Sequence, residues 1–174
     1  YNTRERKIKQ KDQIYQLIDL YTLFYMQFCH PSSTDTAFWT HQMGKPRQNT
    51  WYGLAFERIC MLHIPQIKQQ LGIAQIYTEY YSWRSKLSTP ASQIDLLIER
   101  ADNLVNLCEI KYSQAPYSIT KEEDMRIRTR IADFVGETKI RHGVLTTLIT
   151  TFGLRPNPYS SIAQVQLTMD DLFV

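Results

Sequence analysis

The sequence predicts an α/β or α+β domain in which helices interleave with strands around one sheet. Two observations carry this. Gln93 to Glu99 (QIDLLIE) and Leu104 to Tyr112 (LVNLCEIKY) are short, nearly continuous apolar runs separated by Arg100-Ala101-Asp102-Asn103, the pattern of adjacent buried strands joined by a tight turn. Directly after them, Thr120-Lys121-Glu122-Glu123 is a capping box, in which a Thr side chain and a Glu three residues on satisfy each other's end amides and open a helix, here expected to reach about Val135. With 174 residues, 43% of them hydrophobic and 21% charged, the chain is long and apolar enough for a core and does not have the composition of a disordered segment.

The remaining elements follow in order. Ile14 to Cys29 is dense in aromatics and Leu; periodicity does not separate helix from strand, and the reading is a short strand followed by a helix capped near Asp19. His30 to Asp35 closes it with turn formers, and Gly44-Lys45-Pro46 marks a loop. A helix is expected from about Trp51 to Ile64, with Asn49 or Thr50 as N-cap; Pro65 either kinks it or starts a new helix running to Leu71, which Gly72 ends. Ile76 to Trp83 is β-branched and aromatic and reads as a strand. Gly143 to Phe152 and Ile162 to Thr168 are further strands, the second with Ile162, Gln164 and Gln166 outward of Ala163, Val165 and Leu167, and a last helical turn follows Thr168.

Charge and cysteine usage bound the function classes. The net charge is +3 with an isoelectric point near 8.7, which permits a polyanionic partner without requiring one. Part of the excess is the opening run Arg4, Arg6, Lys7, Lys9 and Lys11, which a solvated linker would also explain. Cys29, Cys60 and Cys108 form an odd set in apolar surroundings and read as reduced core residues of an intracellular, cytoplasmic protein. None of the four histidines pairs with a cysteine at zinc-finger spacing. No apolar run approaches a membrane span, and no signal-peptide core opens the chain, so no membrane partner is expected. The start at Tyr1 rather than Met reads as a piece of a longer chain.

Chemistry is indicated by charges placed inside apolar elements, because burying an ionised carboxylate costs several kcal/mol unless a cation or donors compensate it. On the first long helix, Leu54, Glu57, Met61 and Ile64 fall on one side at about 100° per residue, which puts Glu57 within the apolar stripe. Asp95 interrupts a strand that is otherwise apolar on both faces. Glu109 and Lys111 are two apart and project from the same face of their strand, while Cys108 and Ile110 turn to the other. Two carboxylates and an ammonium delivered by neighbouring strands suit metal-assisted phosphodiester hydrolysis. Hard oxygen ligands hold Mg²⁺ or Mn²⁺, and a lysine stabilises charge building on phosphorus or positions the attacking water.

The order of a helix Glu (Glu57), a strand Asp (Asp95) and a strand Glu-Ile-Lys (Glu109 to Lys111) resembles the PD-(D/E)XK phosphodiesterase superfamily, which includes restriction endonucleases. More narrowly, WYGLAFERIC, SQIDLLIER, NLCEIKYS, KEEDMRIRTRIADF and LTMDDLF resemble the carboxy-terminal nuclease-like domain of a family of bacterial and archaeal AAA-type ATPases, over roughly residues 14–174. The resemblance implies a restriction-endonuclease-like core with a central mixed sheet flanked by helices. It implies a linker and N-terminal extension over 1–30, leading toward a winged helix and ATPase part, and a nuclease-like domain over 31–174. It also implies a hydrolase with Asp95, Glu109 and Glu57 as metal ligands for Mg²⁺ or Mn²⁺ and Lys111 as the electrostatic group. Nucleic acid, DNA in preference to RNA, and the N-terminal ATPase domain of the same chain would be the partners. No G-x-x-x-x-G-K-[ST] occurs, so ATP binding by this segment alone is not expected. Ile94 stands where the superfamily pattern has Pro, and of the Gln or Tyr that some branches add from a later helix only Gln114 is near.

Each feature has a plainer use. An E-X-K triplet recurs by chance, and a helix Glu beside Arg58 can bend to solvent. Arg126, Arg130 and Arg84 are candidates for nucleic-acid contact. For Arg126 an i,i+4 ion pair with Glu122 is the favoured use, whereas Arg130 has no such partner in its own helix. Trp83, Tyr80 and Tyr81 read as sheet packing ahead of base stacking. Two functional classes therefore stand: a metal-dependent nuclease, and a catalytically inactive nuclease-fold module that binds nucleic acid or serves assembly and regulation of the ATPase.

Overall fold

A computed structural model describes residues 17–29 and 34–173. Five helices and five strands run in the order α1 (Leu20–Phe28), α2 (Phe38–Gln42), α3 (Pro46–Leu62), α4 (Ile64–Gln70), β1 (Thr78–Arg84), β2 (Gln93–Arg100), β3 (Leu104–Lys111), α5 (Lys121–Thr138), β4 (Gly143–Thr150) and β5 (Val165–Thr168). Short 3₁₀ turns occupy Ser160–Ile162 and Asp170–Leu172. The strands form one sheet in sequential order β1-β2-β3-β4-β5. β1, β2 and β3 pair antiparallel, whereas β3, β4 and β5 pair parallel. The fold is therefore α+β, a five-stranded mixed sheet with helices on both faces.

β3 is the middle strand, and six consecutive residues from Val105 to Ile110 are buried, because helices cover it on both sides. On one face, Phe56, Cys60, Ile64 and Ile67 of α3 and α4 pack against Leu96, Ile98, Cys108, Ile110, Ile149 and Leu167. On the other, Phe134 of α5 packs with Tyr81, Leu97, Val105 and Leu107, and Ile127 packs with Ile119, Leu148 and Ile162. Trp83 meets Phe134 edge-on at 5.5 Å between ring centroids, which is the sheet-packing use expected for it.

Local signals explain most boundaries. Asp19 caps α1 by accepting from the Thr22 amide at 2.7 Å. Pro65 falls in the first turn of α4, so it starts a helix rather than kinking one, and Gly72 follows with a φ of 68° that L side chains rarely adopt. Asn103 closes the β2–β3 turn at φ 64°, a conformation Asn tolerates better than most. Both bonds of the capping box are present: Thr120 Oγ1 accepts from the Glu123 amide at 3.2 Å, and Glu123 Oε2 accepts from the Thr120 amide at 3.1 Å.

Several expectations are corrected. The long helix begins at Pro46 with Lys45 as N-cap, not at Trp51 behind Asn49 or Thr50, because proline at the first helical position is already set for the helix and gives up an amide that would go unbonded. Its buried stripe is Phe56 and Cys60 continuing into Ile64, whereas Leu54 is 47% exposed, so Glu57 stands at the border of the stripe rather than within it. α2 had no signal in the sequence reading. Ile162 belongs to a 3₁₀ turn and is buried, and β5 starts only at Val165. Cys29 is exposed while Cys60 and Cys108 are buried; all three are free thiols. The strand expected before Asp19 falls largely on residues 14–16, and the turn formers 30–33 also lie outside the described residues; Leu17 to Asp19 has no regular structure. Among the described residues no helix is long and apolar enough to cross a membrane.

The helix α1 is joined to the rest by aromatic contacts. Phe24 and Phe28 meet Trp39 at 5.0 and 5.3 Å and Trp51 at 5.5 and 6.0 Å between centroids.

Because the capping box satisfies two amides that helix geometry leaves open, Thr120→Ala is expected to cost about 1 kcal/mol. Urea titration reads this as a lower midpoint with an unchanged slope.

Candidate metal and nucleic-acid site

The four residues singled out for chemistry come from three elements: Glu57 from α3, Asp95 from β2, and Glu109 and Lys111 from β3. Strand parity sends Cys108 and Ile110 into the core under α3, so Glu109 and Lys111 turn toward α5. Glu109 is only 8% exposed, and both of its oxygens are used. Oε1 stands 2.7 Å from Lys111 Nζ, and Oε2 accepts from Arg130 Nη1 of α5 at 2.6 Å. Burial works against the ionised form, but the adjacent Lys111 and Arg130 charges and their hydrogen bonds outweigh it and hold the Glu109 carboxyl below its ordinary range.

Asp95 sits where β2 departs from strict alternation. Tyr81 pairs with Leu97, yet Trp83 pairs with Ile94, so two residues of β2, Asp95 and Leu96, oppose one of β1, Ser82, at a bulge. Ile94 packs on the α5 side and Leu96 on the α3 side, with Asp95 between them. Gln93 Nε2 donates to Asp95 Oδ1 at 2.8 Å.

Glu57 reports on the neighbourhood. Burial pushes its carboxyl up first, and the Asp95 charge pushes it further; Lys111 and Arg58 oppose this, and Glu109 adds to it. Asp95, Lys111 and Glu109 therefore all lie within electrostatic reach of Glu57. From there a groove of about 500 Å³ runs between α3 and the segment after β3, lined by Glu57, Gly53 and Asn49 on one side and by Lys111, Tyr112 and Gln114 on the other.

The donor types, though not gathered into a cluster among the described residues, are those a hard divalent cation takes. Asp95 and Glu57 are carboxylates whose mutual repulsion a cation between them would relieve, and Mg²⁺ ordinarily takes only one or two protein carboxylates. Among the described residues no three His, Cys, Asp or Glu side chains converge on one point, so the fit rests on that pair, with Glu109 committed to Lys111 and Arg130.

Of the arginines, Arg130 joins the site through Glu109, a partner that its own helix did not offer. Arg126 pairs with Glu123 at 3.6 Å, one position from the expected Glu122, because the capping box holds Glu123 against the helix start. Both arginines line a cavity of about 10 Å³ beside Glu109, with Tyr117 and Glu123. Arg84 is exposed at the end of the edge strand β1, opposite Gln93, and does not join them. Gln114 lies in the segment after β3, not on a helix. The sequence reading missed Asn49 and Gly53; their spacing of eight and four residues before Glu57 on one helix face was the available signal.

Two pH-dependent outcomes follow. With its proton affinity raised, Glu57 contributes stability while protonated, below its ordinary value of 4.5, and this is lost as pH rises through the raised value. In metal-free buffer Glu57→Gln is therefore expected to match the parent in acid and to melt higher toward neutral pH. Glu109 runs the opposite way: its stabilisation is present above the ordinary value and is lost as pH falls through the lowered one. Arg130→Met is expected to cost about 1.5–3 kcal/mol at neutral pH, the range for a hydrogen bond to a charged group, with the deficit narrowing in acid; chemical denaturation across pH measures both.

No family model matches this chain, and no curated protein matches it. A crystal structure described as "Protein of Unknown Function AF1548" is similar at 15% sequence identity and a TM-score of 0.44, over 66% of this chain and 64% of that one, so this chain spans less than two thirds of that protein.

Proposed function

We propose that this domain is a divalent-metal-dependent nuclease that hydrolyses phosphodiester bonds of DNA, in preference to RNA, using Mg²⁺ or Mn²⁺. The observation that carries the reading is that Asp95, Lys111 and Glu109, from two neighbouring strands, all act electrostatically on Glu57 of α3, with Lys111 paired to Glu109 at the carboxyl end of β3. When bound, the ion would polarise a phosphoryl oxygen and lower the pKa of a water. Asp95 and Glu57 are the residues to hold it. Lys111, 31% exposed at the strand end, supplies positive charge beside the reacting phosphate. Arg130 balances Glu109, so that Lys111 is not the only cation the carboxylate has to engage. The resemblance of the chain's motifs to the nuclease-like domain of AAA-type ATPases supports placing it at the carboxyl end of such a protein, with the ATPase part as its partner in the same chain.

A second reading has an observation of its own. Both Glu109 oxygens are held by cations within 2.7 Å, the arrangement of a structural ion-pair network as well as of a catalytic one. On that reading the domain is an inactive nuclease-fold module for nucleic-acid binding or ATPase assembly.

Cleavage of labelled single- and double-stranded DNA and RNA with Mg²⁺ or Mn²⁺ decides between them. Cutting that needs metal and falls at least about 100-fold in both Asp95→Ala and Lys111→Ala, the scale of removing one charge-stabilising group, is the expected result. Well-folded protein that cuts none of these substrates, and whose melting temperature Mn²⁺ does not raise, would establish the inactive module.

A further inference from the structure

The groove does not stop at the proposed metal site. Asn49, Gly53 and Glu57 line it from one face of α3 at i, i+4 and i+8, which at the rise of a helix extends the wall about 12 Å from the Glu57 carboxylate. Gly53 has no conformational reason to be glycine. It lies inside a 17-residue helix with ordinary backbone, and a Cβ built there would have nothing within 4 Å. Glycine in such a place destabilises a helix by roughly 0.5–1 kcal/mol relative to Ala, so its effect here is to leave the wall open beside the groove. Facing it, Tyr112 is braced by Tyr52 in a stacked pair, with 5.1 Å between centroids and 30° between planes. The far end thus offers an aromatic ledge and two amide side chains, Asn49 and Gln114, each both donor and acceptor and both exposed.

Resting on the nuclease reading above, we propose that this end of the groove is a base-binding subsite that takes the unpaired nucleobase next to the phosphate that Lys111 and the ion of that reading would engage, and that the substrate is therefore single-stranded nucleic acid. The size fits, because about 500 Å³ lies within the range of small-ligand sites, roughly 300–1,000 Å³. The chemistry fits as well. An unstacked base presents a face to an aromatic ring and a hydrogen-bonding edge to amides, whereas a base in a duplex has its faces covered by its neighbours and its pairing edge occupied. The groove's groups differ accordingly: the Lys111 ammonium suits a phosphate, and the neutral amides of Asn49 and Gln114 suit a base edge.

The test measures binding by fluorescence anisotropy with Ca²⁺ in place of Mg²⁺, using labelled oligothymidylate, an abasic oligomer of the same length, and a duplex. The parent chain is expected to bind oligothymidylate about 5- to 100-fold more tightly than the abasic oligomer, the range for one stacked base. Gly53→Leu should abolish that difference by filling the wall, while its melting temperature stays equal or rises, because the position is open and leucine favours helix. Should Gly53→Leu melt lower, the Asn49→Ala/Gln114→Ala pair carries the test, since both residues are exposed; it should cut the preference for oligothymidylate several-fold. If the parent binds both single-stranded oligomers equally, or if Gly53→Leu and the double variant keep the parent's preference, the subsite is overturned and the nuclease reading is untouched. If the parent binds none of the three and cuts nothing with Mn²⁺, both are overturned.

Discussion

The buried carboxylate of Glu109 has to be matched by two cations, and much of the domain is arranged around that requirement. A carboxylate in the interior of a sheet costs several kcal/mol unless compensated. Here Lys111, two residues on, covers one oxygen, and Arg130, from the next helix, covers the other. The second contact is possible only if α5 presents Arg130 at the right height and phase. Thr120 fixes where the helix starts, and Ile127 and Phe134, seven apart, fix which side faces the sheet. Arg130 lies between them and is carried onto the same face. The cap, the apolar phase of α5 and the parity of β3 are therefore coupled through one ion-paired triad.

The antiparallel half of the sheet adds the second constraint. β1, β2 and β3 form a meander in which β2 is buried over Leu96, Leu97 and Ile98. Toward its start, the bulge opposite Tyr81 and Trp83 breaks the alternation, and Asp95 occupies the break. A regular strand would commit position 95 to one face beside Leu97. The Asp95 charge at this break acts on Glu57 of α3.

Sequence alone made legible what is encoded over a few residues. β2 and β3 are continuous apolar runs flanked by turn formers, and the capping box is a four-residue pattern, so both stand in the structure close to where they were expected. The same holds for Pro65 and Gly72 around α4. The start of α3 was misplaced because Asn49 and Thr50 are good N-cap types, and the preference is overridden by Pro46, which can begin a helix earlier. Arg130's partner was hidden because the pair spans 21 residues and two elements. Composition could show that Glu109 needed compensation, but not which helix would supply it. The groove was hidden for a related reason: a wall is a property of two segments, and Gly53 gains meaning only once Tyr112 and Gln114 are seen opposite it.

Why the candidate chemistry collects at the end of β3, rather than in its middle, follows from the layering. Along most of its length β3 is sealed by α3 on one face and α5 on the other, and Leu107 and Cys108 are at or near complete burial. Groups on opposite faces cannot meet through a packed sheet. At Lys111 the strand ends, and Lys111 is only half-buried. A side chain there can pair with Glu109 on the α5 side and still act electrostatically on Glu57 of α3. Parallel strands in open sheets leave crevices at their carboxyl ends for the same reason. β3 and β4 are parallel and end in register at Lys111 and Thr150. The chain that continues from this edge, Tyr112 to Gln114, becomes one wall of the groove, with Tyr112 stacked on Tyr52 of α3, so the strand that carries the charged residues also leads into that wall.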